Sequence, residues 1–434
     1  MDDQRSPLAE RHYPQVPNNL VNDPTPKDQA IYVPSVSPGY ATDVSAQNWA
    51  RPLPKGVGSG DLNFLDPQNK LFRISHAMTS AGQALNQKKP CIISERDRKS
   101  TLIIGDSGGY QIASNKMRID GDRDRLKILR WLENTADVAM TLDVPTGPVL
   151  KAGYRFQNAQ DCLTATLEHL DFFQRHRKSS ETRFLNVLQG NTVSEANAWY
   201  DSVKHYEFEG WAFAGVLRHN IEYFCARIIK MADENQLQNK SWIHVLGTCE
   251  LETAVLLTAL QRAINANINP NLRISYDTSS PFRILSFGRL YTLPKFEAKR
   301  MVMGGGEAPN ASAFIGSQLR WPWPSPLGDY MRLEDFCVDR PVTARTTHDM
   351  QSNHYLAHHN LAALCFGIAL ANRIFDSESV CHRHTVGLPV GAAVEAINEV
   401  FKAGTMSEVR KYQRTFSHLR HGIAPDSGDD ERAC

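Results

Sequence analysis

The sequence predicts an α/β protein built on a (β/α)8 TIM barrel, with an extended N-terminal arm and a helical C-terminal addition. Two observations carry that reading across the 434 residues. Short apolar or β-branched runs alternate with amphipathic stretches, the signature of a parallel sheet with helical crossovers. Each run also ends in polar or Gly residues, as expected where the C-terminal ends of barrel strands build one active rim. A doubly wound open sheet is the competing architecture.

Residues 1–60 are rich in Pro, Asn, Asp and Ser and lack periodicity, so they read as an arm with short ordered pieces. Residues 61–300 are assigned to the barrel. Six strands are expected at 100–105 (STLIIG), 136–142 (ADVAMTL), 183–188 (RFLNVL), 210–215 (GWAFAG), 242–246 (WIHVL) and 272–276 (LRISY), and one or two more near 71–74 and 90–93. Helices are expected at 122–133, 158–175, 194–206, 221–235 and 250–266. Residues 301–423 read as a helical region that completes the barrel, and the polar, acidic stretch 424–434 as a disordered tail.

Hydrophobic residues make up 41% and charged residues 22%, an ordinary globular composition, and the formal net charge is +1. The whole chain therefore has no preference for a polyanion, although a balanced total is compatible with a local basic face. The eight cysteines are scattered and form no C-x-x-C pair, so free thiols and a cytoplasmic location are expected. No signal peptide and no run of membrane-spanning length is read, so no membrane partner is expected.

Three aspartates, Asp106, Asp143 and Asp277, each follow a predicted buried strand. Singly, such a residue is usually a turn residue or a helix N-cap. Together on one rim they can divide into nucleophile and acid/base, because their environments push the pKa values apart. Glycosidic chemistry needs that division. Ser107-Gly108-Gly109 permits a tight turn, Tyr110 can stack on a flat base, and the amides of Gln111 and Gln189 can pair with a base edge beside Gly190. Basic clusters at 95–99, 118–130 and 175–178 are candidates for holding phosphates or for solvated faces. Arg320-Trp321-Pro322-Trp323 either stacks on an extruded base or packs as a crossover.

From Asp106 to Arg373 the chain resembles the tRNA-guanine transglycosylases. The resemblance rests on DSGGYQ at 106–111, LDVPT at 142–146, LQG at 188–190, GWAFAG at 210–215, VLGT at 245–248, and Asp277, Pro281, Arg283 and Gly288–Thr292, with His359-Asn360 downstream. It implies that Asp277 attacks C1′ of a nucleoside and that Asp106 is the general acid and base. Asp143 and Gln189 would read a guanine-like edge, Gly190 and Gly215 would complete the pocket, and Tyr110 would stack on the base beside Ser107 and Gln111. Arg283 would hold a phosphate or a loop.

Two departures matter. The family's Gly-Gly is here Gly210-Trp211, which is expected to alter one pocket wall. The family's zinc motif C-x-C-x2-C has no counterpart, so no metal and no other cofactor is expected; a rebuilt site would draw on Cys337, His348, His354 and His359, with His358 nearby. The missing zinc motif, together with the long N-terminal arm, resembles the DNA-guanine transglycosylase branch, in which guanine in DNA is exchanged for a 7-deazaguanine such as 7-cyano-7-deazaguanine. The resemblance implies DNA with a single-stranded or flipped-out guanine and a 7-deazaguanine base as partners, with scope for an ATPase or helicase that opens the duplex. The alternatives are a tRNA-guanine transglycosylase, a non-catalytic nucleic-acid-binding relative, and an unrelated barrel hydrolase acting on a sugar.

Overall fold

The computed structural model describes residues 28–178, 181–341, 343–376 and 385–421. Eight strands form one parallel sheet in the order β1-β8-β7-β6-β5-β4-β3-β2. They are β1 (Ile31–Pro34), β2 (His76–Ser80), β3 (Leu102–Asp106), β4 (Val138–Met140), β5 (Arg183–Leu188), β6 (Gly210–Phe213), β7 (Trp242–Val245) and β8 (Arg273–Thr278). β1 lies against β8 in register, with Val33 opposite Asp277. At the seam between β1 and β2, Ser35 bridges Met78 and the Val36 N–H donates to the Met78 carbonyl at 3.0 Å. The sheet is thus a nearly closed (β/α)8 barrel.

Helices α1 (Pro38–Ala46), α2 (Ala81–Ala84), α3 (Gly109–Ala113), α4 (Asp122–Thr135), α5 (Ala159–His176), α6 (Val193–Val203), α7 (Ile221–Asp233) and α8 (Leu251–Asn267) follow the strands in turn. Their starts obey local chemistry. Asn158, Thr192 and Asn220 each accept a backbone N–H through their side chains at the N-termini of α5, α6 and α7.

Side-chain alternation divides the packing in two. Inward-facing Ile31, Val33, Met78, Ile104, Val138, Met140, Leu185, Val187, Ala212 and Trp242 fill the barrel. Outward-facing residues such as Ile103, Phe184, Trp211, Phe213, Ile243 and Tyr276 join the larger core beneath the helices. An apolar plug below therefore supports whatever polar residues crown the strand ends.

The six strands and five helices expected from the sequence are present within a few residues of the expected bounds. The two additional strands lie elsewhere. Residues 71–74 and 90–93 are irregular, and their apolar side chains Phe72, Ile74, Ile92 and Ile93 serve the outer core. The first two strands are 31–34 and 76–80 instead. Barrel and arm therefore overlap: residues 1–27 of the expected arm lie outside the described residues, while 31–46 already supply β1 and α1. The expected tail, 424–434, also lies outside them.

Beyond β8 come α9 (Ser280–Arg283), β9 (Arg289–Tyr291), α10 (Leu333–Phe336), α11 (Met350–Asp376) and a helix at Leu388–Ala403. β9 pairs antiparallel with Gly305–Glu307, so this part is not wholly helical. α11 and the Leu388–Ala403 helix pack on α8 and cover the last side of the barrel. Among the described residues, no helix is long and apolar enough to cross a membrane. Free thiols are found at Cys91, Cys162, Cys225, Cys337 and Cys365, but Cys249 is disulfide-bonded, contrary to the expectation for all eight.

Backbone proximity inside the sheet yields a stability test. A Cβ on Gly210 would stand 2.1 Å from the Trp242 carbonyl oxygen, whereas one on Gly305 would meet nothing within 4 Å. Gly210→Ala should lower the unfolding free energy by about 1–3 kcal/mol, as overpacking does, and Gly305→Ala should leave it nearly unchanged. Urea unfolding midpoints of the two variants check this.

Candidate active site

Asp106 ends β3, directly across the register from Ser80 on β2. The Ser80 hydroxyl donates to its Oδ2 at 2.6 Å. Burial pushes this carboxyl above the usual range; Ser80 and the Gly108 N–H pull the other way, and the negative charge of Asp277 pushes it up further. The tight turn depends on Gly108, whose φ is +104° and where a Cβ would collide with Met117 and with the backbone of Gly82.

Asp143 lies three residues past β4, and its Oδ2 accepts from the Gln189 amide at 2.7 Å. It is 5% exposed. Burial raises its carboxyl to about 7, the Gln189 bond opposes the rise, and the charge of Asp106 adds to it. Next to this pair, two glycines bring backbone together. A Cβ on Gly215, whose φ is +72°, would stand 2.8 Å from the Gly190 carbonyl oxygen and 3.4 Å from Oε1 of Gln189. The loops after β4, β5 and β6 thus form one wall of side-chain amide, carboxyl and bare backbone.

Asp277 is on β8 itself and faces inward. Its Oδ1 accepts from the Gly247 N–H at 2.9 Å and lies 3.2 Å from Nε2 of His244. Nδ1 of His244 is 2.7 Å from the Ser275 hydroxyl, which also accepts the Trp242 indole N–H at 2.7 Å. Neither His244 nor Ser275 stands out in the sequence, because WIHVL and LRISY read simply as buried strands. The one available signal is alternation, which places Trp242, His244, Ser275 and Asp277 on the inner face.

The structure places the remaining expected residues as follows. Tyr110 is 61% exposed on the first turn of α3, open for a flat ligand. Gln111 is buried, with its amide oxygen 3.4 Å from Ser80 and packed against Gly82, so it adjoins Asp106. Ser107 is fully buried and donates to the Thr141 carbonyl at 3.1 Å, so its hydroxyl secures the turn. Arg283 is half-buried on α9. Arg218, which sequence reasoning passed over, donates to the Gly215 carbonyl at 2.7 Å and lies beside Gly247, joining the lips of β6 and β7.

One expectation is corrected and two open alternatives are narrowed. Trp211 does not line the pocket: it points outward, donates to the Gln236 carbonyl at 3.1 Å and packs on Tyr200. Trp321 is buried against Phe336 and His359, a packing role. The basic clusters at 95–99 and 175–178 sit at the far end of the barrel, where Arg96 pairs with Asp137 and Arg177 with Glu209.

The candidate metal ligands have separate tasks. His359 bonds Ser325 and the Tyr291 carbonyl, each at 2.9 Å, and His354 bonds Asp43 at 2.9 Å. Cys337 and His348 both turn to the Pro309 carbonyl, and His358 is buried with its ring edge-on to Phe72. Among the described residues no three His, Cys, Asp or Glu side chains gather as a metal site. Asn360 accepts the Tyr291 N–H at 2.8 Å and donates to the Pro281 carbonyl at 3.3 Å, which ties α11 to the segment after β8.

Fold and site together define a (β/α)8 barrel with a carboxylate-lined mouth, an arrangement common among enzymes. No family model and no curated protein matches the chain.

The raised Asp143 carboxyl has a measurable consequence. Its folded-state pKa of about 7 exceeds its unfolded value, so this group favours the folded state at low pH. That contribution is lost as pH rises from the unfolded pKa, about 4, to about 7. Asp143→Asn removes the titration, so the variant should gain on the wild type by on the order of 1 kcal/mol per pH unit across this window. Paired urea titrations at pH 4.5 and pH 7.5 measure it; a difference that does not change with pH contradicts the assignment.

Proposed function

We propose that this protein exchanges guanine in DNA for a 7-deazaguanine base, such as 7-cyano-7-deazaguanine, through a covalent aspartyl-glycosyl intermediate. The observation that carries this reading is the division of labour among the buried carboxylates. Asp277 has one oxygen that accepts the Gly247 N–H, Asp106 has a carboxyl raised by burial and by Asp277, and Asp143 pairs with an amide next to bare backbone. A nucleophile, a proton carrier and a base reader are the three parts that base exchange needs.

In the first step Oδ2 or Oδ1 of Asp277 forms a bond to C1′ as the bond from C1′ to the guanine nitrogen breaks. The electron pair leaves with the base, and Asp106 supplies the proton. In the second step the incoming base gives up a proton to Asp106 and its nitrogen takes C1′, returning Asp277 to a carboxylate. Two displacements give net retention. Asp143 and Gln189 offer an acceptor and an amide to the edge of a purine, and Tyr110 offers a face for stacking.

Charge around the mouth supports a polymer. Lys116 and Arg118 follow β3, Lys151 and Arg155 follow β4, Arg218 follows β6, and Arg283 and Arg289 follow β8. Of the nearby acids outside the site, Asp120 follows β3 and pairs with Arg155 at 3.5 Å, Glu250 follows β7, and Glu307 lies across from Arg289. Cations spread around a rim suit a phosphate backbone. A target base must leave its stack to reach a recessed pocket, so an unpaired or flipped-out guanine fits, and a partner ATPase or helicase would open a duplex. DNA is favoured over tRNA because the sequence has no C-x-C-x2-C triplet where tRNA enzymes of this kind carry one.

The test is incubation with labelled guanine and, separately, single-stranded DNA, duplex DNA and tRNA. Label should enter DNA, at least as fast in single strands as in duplex, and Asp277→Asn should abolish it. Label entering tRNA and no DNA points to the tRNA reaction, binding without exchange to a non-catalytic relative, and release of sugar from an oligosaccharide to a hydrolase.

A further inference from the structure

We propose that His244 is the positioning residue of the nucleophile: it donates Nε2–H to Oδ1 of Asp277 and leaves Oδ2 as the oxygen that bonds to C1′. The inference deepens the transglycosylase reading and rests on it for the role of Asp277.

The donor order follows from the two ends of the chain, an indole that can only donate and a carboxylate that accepts. An indole N–H can only donate, so the Ser275 oxygen accepts from Trp242 at 2.7 Å. The Ser275 hydroxyl hydrogen is then available to Nδ1 of His244, 2.7 Å away. With Nδ1 accepting, the ring proton belongs on Nε2, which faces Oδ1 of Asp277 at 3.2 Å. The opposite neutral tautomer would set a lone pair against a carboxylate oxygen. An imidazolium would donate from Nε2 as well. Gly247 adds its N–H to the same oxygen at 2.9 Å. Oδ1 therefore has two donors.

Geometry holds this chain rigid. β7 and β8 pair with His244 opposite Ser275, and period-two alternation carries Trp242–His244 and Ser275–Asp277 along the inner face. The His244 side chain is fully buried and that of Asp277 is 8% exposed. The His244 ring is thus shielded from water.

Two donors on one oxygen also bear on the chemistry. When Oδ2 bonds to C1′, Oδ1 becomes the carbonyl oxygen of the ester. When the incoming base takes C1′, the Oδ2–C1′ bond breaks and the electron pair returns to the carboxylate. Donors on Oδ1 stabilise that carboxylate and make it a better leaving group. Loss of His244 should therefore slow the second step more than the first.

The experiment compares His244→Leu and His244→Gln with wild type, using single-stranded DNA and labelled guanine, and measures both exchange and DNA trapped on the protein. His244→Leu should slow exchange between about 10- and 100-fold, the range for a lost hydrogen bond to a charged group, while the trapped fraction rises. His244→Gln, which keeps an N–H near the same place, should recover part of the rate. Exchange at the wild-type rate in the Leu variant overturns the proposal. So does a proportional loss of exchange and trapped DNA with Gln no better than Leu, since that is what plain structural damage gives. If the Leu variant does not fold, Ser275→Ala replaces it, with the same signs and a smaller effect. A second measurement needs no activity: nitrogen NMR of the histidines in the free protein. A proton on Nε2 of His244, with or without one on Nδ1, supports the bond to Asp277, and a neutral ring protonated only on Nδ1 overturns it. Should the wild type exchange no base in any polymer, the functional reading falls, and the NMR result alone decides the His244–Asp277 bond.

Discussion

Carboxylates taken out of water need donors, and three of them share the mouth of this barrel. An unpaired buried charge costs several kcal/mol, so each group either finds a partner or takes up a proton. The strand register supplies the partners. Ser80 lies across from Asp106, Ser275 across from His244, and the turn after β7 presents the Gly247 N–H to Asp277. The apolar plug beneath them keeps the strands at fixed spacing, so the donors cannot drift. What is built at the rim thus depends on closure of the sheet many residues away, including the seam where Val36 meets Met78.

The three environments differ, and the difference makes the site more than a cluster of acids. Asp106 and Asp143 are pushed up chiefly by burial, each with a neutral donor. Asp277 is held by a backbone N–H and by His244, which is itself anchored by Ser275. The Gln189 amide lies between Asp143 and Gly215, and a Cβ on Gly190 or Gly215 would strike backbone. The cations on the surrounding loops are spaced around it and are not packed into one patch.

Much of this was legible in the sequence, for identifiable reasons. Strands buried on both faces show as unbroken apolar runs, so β3 to β8 stood out, and their polar endings located the rim. β1 and β2 did not. IYVP sits in a Pro-rich stretch, and HAMTS carries polar residues on the face that meets the mouth, while apolar Phe72, Ile74, Ile92 and Ile93 imitate strands from loops that pack on the core. The aspartates and Gln189 were found because they follow strands. His244 and Ser275 were not, because a polar residue inside a strand gives no sign of which neighbour it will meet. Trp211 misled for the related reason that position in a motif does not determine which face of β6 a side chain takes. His354 and His359 could serve a rebuilt metal site by residue type alone, and their partners, Asp43 and the Ser325–Tyr291 pair, give them a packing role.

The central claim is that Asp277 forms a covalent bond to the sugar of a polynucleotide. The most direct measurement is peptide mapping by mass spectrometry of protein quenched in acid during turnover with single-stranded DNA. The account predicts a sugar-bearing adduct on the peptide containing Asp277, absent in Asp277→Asn. An adduct on Asp106 or Asp143, or normal base exchange by Asp277→Asn, would contradict it.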